Sequence, residues 1–171
     1  MGLRDRRRGD DGPGGRRYQM REKMLSIGDD YWIEDEAGQK AFKVDGKAMH
    51  IRDTFVLEDA SGNEVAKIQE KKLSVRDKMT IEMNGRSATV HKAIVGIRDR
   101  YKIDVDGGPD LSAHGNVVDH EYEIERDGDT VATVSKKWFR VRETYGVEIA
   151  PDQDDALILA ITVAMDSMSR G

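Results

Sequence analysis

Residues 75–82 read VRDKMTIE, and five further segments of the chain repeat this pattern of residue types. They are 27–34 (IGDDYWIE), 51–58 (IRDTFVLE), 97–104 (IRDRYKID), 118–125 (VDHEYEIE) and 141–148 (VRETYGVE). The copies start 21 to 24 residues apart, and a regular spacing of this kind indicates a repeated structural unit. A catalytic cluster would not be copied six times, so the charged pair within the repeat carries little functional weight by itself.

The fifth and seventh positions of every copy are apolar. The fifth residue is large: Tyr31, Phe55, Met79, Tyr101, Tyr122 and Tyr145. The seventh is aliphatic: Ile33, Leu57, Ile81, Ile103, Ile124 and Val147. Alternation with a period of two predicts a strand with one buried face.

Turn signals follow most copies of the repeat and predict hairpins. Asn84-Gly85 and Asp127-Gly128 are examples, because these dipeptides favour tight turns between antiparallel strands. Return strands are predicted at 41–44, 65–69, 87–92, 111–117 and 131–135, and a further strand at 18–24 brings the total to twelve. Twelve antiparallel strands in so short a chain predict a closed barrel, which leaves no exposed sheet edge.

After Pro151 the pattern changes to that of a helix. Asp152 is the predicted N-cap, and residues 156–165 (ALILAITVAM) are interpreted as apolar on all sides. Ten residues of helix span about 15 Å, whereas the apolar core of a bilayer is about 30 Å thick. A barrel of twelve strands is too wide to be filled by its own side chains, so the helix is predicted to lie inside it.

Composition limits the remaining choices. The 171 residues carry a net charge of −5 and include no cysteine. The charge argues against nucleic acid as the partner, and the lack of cysteine excludes disulfides and fits the cytoplasm. Residues 1–17 are rich in Arg and Gly, carry net charge +3 and have no apolar segment of the signal-peptide type. They are predicted to form a disordered tail, which leaves 18–171 as a single domain.

Three stretches, 21–48, 64–82 and 120–149, are similar to members of the LURP-one-related family, in particular its bacterial members. The resemblance covers about 18–168 and implies the tubby C-terminal-like fold, a twelve-stranded barrel around a hydrophobic helix. The same superfamily includes tubby proteins, which bind phosphoinositides, and phospholipid scramblases. This chain lacks the cysteine-rich and proline-rich segments of the scramblases, so the resemblance does not imply scrambling. It also brings no catalytic motif.

The candidate ligand-binding residues lie in two segments, 71–83 and 134–149, that occupy equivalent places in different repeats. Alternation places Met79, Phe139 and Tyr145 inside the barrel and most of the cations outside. The candidates are Lys71, Lys72, Arg76, Lys78, Lys136, Lys137, Trp138, Arg140 and Arg142. Cations beside an exposed indole suit the headgroup of an anionic phospholipid or another phosphate-bearing partner.

The same cations also suit an ordinary solvated wall, in which Glu70, Glu82 and Glu143 would be their salt-bridge partners. Asp77 and Glu143 occupy inward positions of the repeat. They are therefore either buried carboxylates with perturbed pKa values, or rim residues displaced by a bend in the chain.

No motif of a known class of enzyme is present, and neither is a phosphate-binding loop, so neither catalysis nor a cofactor is predicted. His114 and His120 lie near Asp119 and Glu121, but their spacing matches no zinc signature, so no metal site is predicted. The chain is therefore interpreted as a non-enzymatic binding module of the cytoplasm, able to attach to the inner face of the membrane. The alternatives are a protein-interaction scaffold without a lipid ligand, or a small-ligand carrier or enzyme at the barrel mouth.

Overall fold

The computed structural model of the chain describes residues 15–21, 30–46, 54–71, 78–95, 98–139 and 142–170. The strands are β1 (Arg16–Arg21), β2 (Asp30–Asp35), β3 (Lys40–Asp45), β4 (Thr54–Asp59), β5 (Glu64–Glu70), β6 (Lys78–Met83), β7 (Arg86–Val95), β8 (Arg98–Val105), β9 (Leu111–Asn116), β10 (Glu121–Arg126), β11 (Asp129–Ser135) and β12 (Thr144–Ile149). One helix, α1 (Asp155–Arg170), follows β12.

The twelve strands form a closed antiparallel barrel, as the repeat predicts. Each strand pairs with its neighbours in sequence, and β1 pairs with β12 over six positions to close the ring. The apolar positions of all six repeats are buried, which confirms the alternation.

The first strand starts at Arg16 and so includes the last two residues of the predicted tail, and residues 1–14 lie outside the described part of the chain. Arg16 and Arg17 belong to the wall because both are held by carboxylates, Asp155 and Glu148 respectively. The hydroxyl of Tyr18 also donates to Asp155. Burial first, and then this hydrogen bond, raises the pKa of Tyr18 well above its ordinary value.

The helix lies inside the barrel, as predicted, and packs against β5, β6, β7 and β12. Its side chains from Leu157 to Asp166 are buried. The N-cap is Asp154 rather than the predicted Asp152, because the Oδ1 atom of Asp154 accepts hydrogen bonds from the backbone N–H groups of Ala156 (3.1 Å) and Leu157 (3.4 Å). No helix in the described residues is long and apolar enough to cross a bilayer.

The segment 156–165, predicted to be apolar on all sides, is almost wholly buried and carries one polar side chain, Thr162, and acids stand just outside it at both ends. Asp155, Thr162 and Asp166 are seven and four residues apart, so they share one face. Thr162 turns its hydroxyl onto the backbone carbonyl of Ile158, at 2.9 Å. Asp155 and Asp166 bond to side chains from the wall. The helix therefore meets the barrel through a narrow polar line as well as through apolar packing.

The two ends of the barrel differ in their connections. Short turns, at 36–39, 60–63, 84–85, 106–110 and 127–128, and the segment 150–154 form one end, here called the turn rim. The opposite end, the loop rim, comprises the connections 22–29, 46–53, 71–77, 96–97, 117–120 and 136–143. The helix starts at the turn rim and runs towards the loop rim, where Asp166 meets His120.

Candidate functional site

The two rims differ in charge. Counted with one strand residue on each side, the connections of the turn rim have a net charge of −8. Their charged residues are Asp35, Glu36, Asp59, Glu64, Asp106, Asp110, Asp127, Asp129, Asp152, Asp154 and Asp155, against Lys40, Arg86 and Arg126. This end of the barrel would repel an anionic surface.

In the sequence, the connections of the loop rim have a net charge of +3 when counted in the same way; their residues 22–29, 47–53, 72–77, 96–97 and 140–141 lie outside the described part of the chain. Their cations are Arg21, Lys23, Lys47, Arg52, Lys71, Lys72, Arg76, Lys78, Arg98, Lys136, Lys137, Arg140 and Arg142. Their acids are Glu22, Asp29, Asp30, Asp45, Asp53, Glu70, Asp77, Asp119, Glu121 and Glu143. Two connections are basic, 70–78 with +2 and 135–144 with +3, while the other connections of this rim sum to −2; the two basic connections contain all the candidate residues predicted from the sequence.

The two basic connections lie on opposite sides of the loop rim. The first joins β5 to β6 and the second joins β11 to β12, so they are six strands apart in a ring of twelve. They cannot form one continuous patch on the wall. In the first, Lys71 is exposed and Lys78 half-buried, and the backbone N–H of Lys71 donates to the carbonyl of Lys78 at 3.1 Å. Lys72, Arg76 and the acid Asp77 lie outside the described residues.

The described residues of the second basic connection, 136–139 and 142–143, are not in a strand, contrary to the alternation assumed across 134–149. The ladder stops at Ser135 and resumes at Thr144, and Glu143 has a left-handed backbone with φ of 60°. Glu143 is exposed, so of the two interpretations of this acid, burial is wrong and the rim position is confirmed. Arg142 is exposed beside it. Arg140 lies outside the described residues.

The start of this connection is held by a carboxylate on β10. The Oε1 atom of Glu121 accepts hydrogen bonds from the Ser135 hydroxyl (3.2 Å) and from the backbone N–H of Lys136 (3.1 Å). The Ser135 hydroxyl in turn accepts from the backbone N–H of Lys137 at 3.1 Å. These bonds fix the direction in which the chain leaves β11, with Lys136 half-buried and Lys137 exposed.

Trp138 and Phe139 lie against the outside of the barrel. Gly146 alternates with the inward-facing Tyr145 and Val147, so it faces outward, and a Cβ atom there would lie 2.7 Å from Trp138 and 2.8 Å from Phe139. The prediction that Phe139 points inward is therefore wrong, because the parity of the strand ends at Ser135. The sequence carries one signal of this packing, since the sixth position of the repeat is glycine only in the last copy.

The indole of Trp138 is half-buried rather than freely exposed as predicted. The guanidinium of Arg17 lies 4.8 Å from the centre of its ring, a cation–π contact. The Nε atom of Arg17 also donates to Glu148 at 2.6 Å, which holds the guanidinium over the wall. The sequence analysis missed Arg17 because it was assigned to the tail.

A second polar cluster lies inside the barrel, below the loop rim. The Nε2 atom of His120 lies 2.9 Å from Oδ1 of Asp166, and these residues are only 4% and 2% exposed. Tyr145 stacks on the imidazole with 4.0 Å between ring centres, and its hydroxyl lies 3.5 Å from Oδ2 of Asp166. The pair is closed to solvent, so its evident role is to join the end of the helix to the wall.

The backbone of His120 has φ of 54°, and its Nδ1 atom has no hydrogen-bond partner within the described part of the chain. His114, by contrast, is on the outer side, where it lies 3.2 Å from Glu125. The two histidines therefore do not converge, and the described residues contain no group of three or more side chains arranged to hold a metal. Asp166 was missed from the sequence because nothing there shows which wall residue it meets.

A surface cleft of about 490 Å³ lies on the wall at the junction of β1 and β2. These strands pair at only two positions, Tyr18 with Asp35 and Gln19 with Glu34. Trp32, Lys40 and Arg21 line the cleft together with acidic residues. It lies beside the wall rather than at the barrel mouth where a small-ligand site was considered.

Comparison with known proteins supports the fold. The family model described as LURP-one-related matches residues 16–166. The chain is similar to an X-ray structure of a protein from Arabidopsis thaliana, AT5G01750, with a TM-score of 0.68 and 18% sequence identity; the match covers 92% of this chain and 93% of the other. No curated protein sequence matches significantly. Because the family model spans nearly the whole chain, this protein belongs to the LURP-one-related family.

Proposed function

We propose that the protein is a non-enzymatic binding module that associates with anionic phospholipid surfaces through its loop rim. The observation that carries this proposal is the difference in charge between the rims, −8 against +3. Near an anionic membrane the loop rim is attracted to the surface and the turn rim is repelled from it, whatever the tilt of the barrel. A cytoplasmic bacterial protein of this kind would then attach to the inner face of the cell membrane. This is in keeping with the resemblance to the tubby C-terminal-like superfamily.

The connection 135–144 is the best-formed part of this rim. Lys136 and Lys137 stand at the start of this connection, which Glu121 and the Ser135 hydroxyl fix, so little backbone freedom is lost there when they meet a phosphate. Lys137 and Arg142 are both exposed. Each Lys or Arg close to an anionic bilayer contributes about 1 kcal/mol to binding. Removing these two charges is therefore expected to weaken binding by about 2 kcal/mol, or about thirtyfold.

Flotation of the protein with vesicles tests the proposal. We expect binding to phosphatidylcholine mixed with phosphatidylglycerol, no binding to phosphatidylcholine alone, and release at high salt. The double variant Lys137→Glu with Arg142→Glu should bind at least thirtyfold more weakly. The matched control is Arg100→Glu with Lys102→Glu, which makes the same change in net charge at exposed positions of β8, outside the loop rim. Equal loss in both variants would show that only total charge matters and would contradict a site at the rim.

A soluble phosphate compound separates a surface contact from a discrete pocket. Glycerol phosphate should not release the protein from vesicles except through its ionic strength. Release at constant ionic strength would point instead to a pocket for a single phosphate group.

The second candidate function is a protein-interaction scaffold without a lipid ligand. The cleft beside β1 and β2 favours it, because indole, amide and charged groups of both signs line a concave surface there. Failure to bind any vesicle, together with capture of one stoichiometric protein partner that is lost when Trp32 is changed to Ala, would favour this function. A co-purified small molecule in the cleft would instead favour a carrier or an enzyme.

A further inference from the structure

We propose that the protein lies against the membrane on one side rather than end-on, through a surface here called the tryptophan face. This face is the outer wall of β2, β1 and β12 together with residues 136–139. The inference rests on the proposed function and adds the orientation of the molecule. It predicts that of the two basic connections only 135–144 touches the membrane, while 70–78, on the opposite side of the ring, does not.

Both tryptophans of the chain lie on this face, although 106 residues separate them in sequence. Trp32 is on the outer side of β2, and Trp138 packs over Gly146 on β12. Gln19 on β1 is the register partner of both Gly146 and Glu34, so β1 lies directly between the two tryptophan-bearing strands. Two strand spacings correspond to about 10 Å, so the two indoles can reach the same lipid interface.

Each indole has at least one cation within 6 Å of its ring centre. The Nζ atoms of Lys40 and Lys43 lie 5.0 and 5.9 Å from the Trp32 ring, and Arg17 covers the Trp138 ring. Tryptophan with neighbouring Lys and Arg is the combination that is enriched at the headgroup level of bilayers, where an indole meets both apolar and polar surroundings.

The acids on this face are each beside a cation. Asp30 lies 3.5 Å from Lys43, and Glu148 is bonded to Arg17. Glu34 is the register partner of Lys40. Arg21 and Lys137 are exposed and make no ion pair with the described residues. The face therefore presents exposed positive charge beside two half-buried indoles.

The opposite wall lacks these features. The outward positions of β5 and β6 are Val65, Lys67, Gln69, Lys78, Thr80 and Glu82, with no aromatic side chain among them. Cations on that wall can attract phosphate, but no aromatic side chain lies among these outward positions to enter the interface between headgroups and acyl chains. This contrast is the reason for a side-on rather than an end-on orientation.

The two tryptophans also provide the test. In the single-tryptophan variants Trp32→Phe and Trp138→Phe, the remaining indole should shift its emission to shorter wavelength on vesicles of phosphatidylcholine and phosphatidylglycerol. It should also be quenched by brominated lipid. Circular dichroism and the melting temperature establish that both variants are folded. Flotation of Lys71→Glu with Lys78→Glu should stay within about twofold of the unchanged protein, whereas Lys137→Glu with Arg142→Glu should lose at least thirtyfold, as above.

The possible results separate this inference from the function on which it rests. Binding without quenching of either indole, or equal loss from both pairs of charge reversals, means end-on docking; it overturns the tryptophan face and leaves lipid binding intact. No binding to anionic vesicles overturns the proposed function itself. Quenching of both indoles together with unequal loss establishes the side-on orientation.

Discussion

Replacing His120 with Asn should destabilise the protein strongly, because it leaves Asp166 buried without its main partner. Asparagine tolerates a left-handed backbone about as well as histidine does, so the φ of 54° adds little to the difference. Its shorter side chain cannot reach across the 2.9 Å contact, and the Tyr145 hydroxyl, at 3.5 Å from the carboxylate, is too distant to replace it. Removing the partner of a buried carboxylate leaves it uncompensated, which costs about 3–5 kcal/mol, a large part of a total stability of about 5–15 kcal/mol.

Urea unfolding at neutral pH, followed by circular dichroism, measures this loss. A loss of about 3–5 kcal/mol should also lower the melting temperature by about 6–20 °C in a chain of this size. Asp166→Asn removes the charge while keeping the volume, so it should cost less than His120→Asn. In the double variant the two losses should not add, with an interaction energy of up to about 3 kcal/mol.

The matched control is His114→Asn, which makes the same substitution on the outer wall. His114 also has a carboxylate partner, Glu125 at 3.2 Å, but both side chains are partly exposed, so the pair contributes about 1 kcal/mol or less. Similar losses for the two His→Asn variants would refute the reasoning. So would additive losses in the cycle between His120 and Asp166, because the buried pair would then carry no energy of its own.

Three further predictions concern the core, the outer wall and the tyrosines. Ile158→Asp or Ile161→Asp should prevent folding, because either places an unpaired charge in the centre of the barrel; soluble protein with an unchanged melting temperature would contradict it. Gly146→Ala should displace the rings packed over it, cost about 1–3 kcal/mol and shift the tryptophan emission to longer wavelength, and an unchanged spectrum would argue against that packing. Burial raises the pKa of Tyr18 and Tyr122 far above the value of about 10 in unfolded chains, so their contribution to stability is complete below pH 10 and is lost at higher pH. Absorbance at 295 nm should therefore show both ionising only on unfolding, and their titration in the folded protein near pH 10 would contradict it.

Sequence reasoning predicted the fold well because the repeat and the wall obey the same period of two. The fifth and seventh positions identified the buried wall residues, such as Tyr101 and Ile103, and an apolar helix of limited length had no other place than the interior. The prediction failed where the period stopped. Phe139 was placed inside because the strand was extended through a connection that leaves the sheet after Ser135.

The candidate site was only partly predictable for a related reason. Counting cations identified the two basic connections, but only the order of strands around the ring shows that they lie on opposite sides. The partners of the site residues are distant in sequence: Arg17 reaches Trp138, and Asp166 reaches His120. Periodicity within a segment contains no information about such pairs.

The pairing of the first strand with the last has a consequence for how the chain folds. On the ribosome β1 emerges first, but its partner β12 emerges last among the strands, and the helix that fills the interior follows it. The inward residues of the wall therefore wait for their apolar covering until all twelve strands and the helix have been made. Folding of this kind depends on distant contacts and is expected to be slow. A chain ending after Ile149 would lack the helix, so the apolar inner face of the barrel would stay exposed. It should be recovered as aggregate.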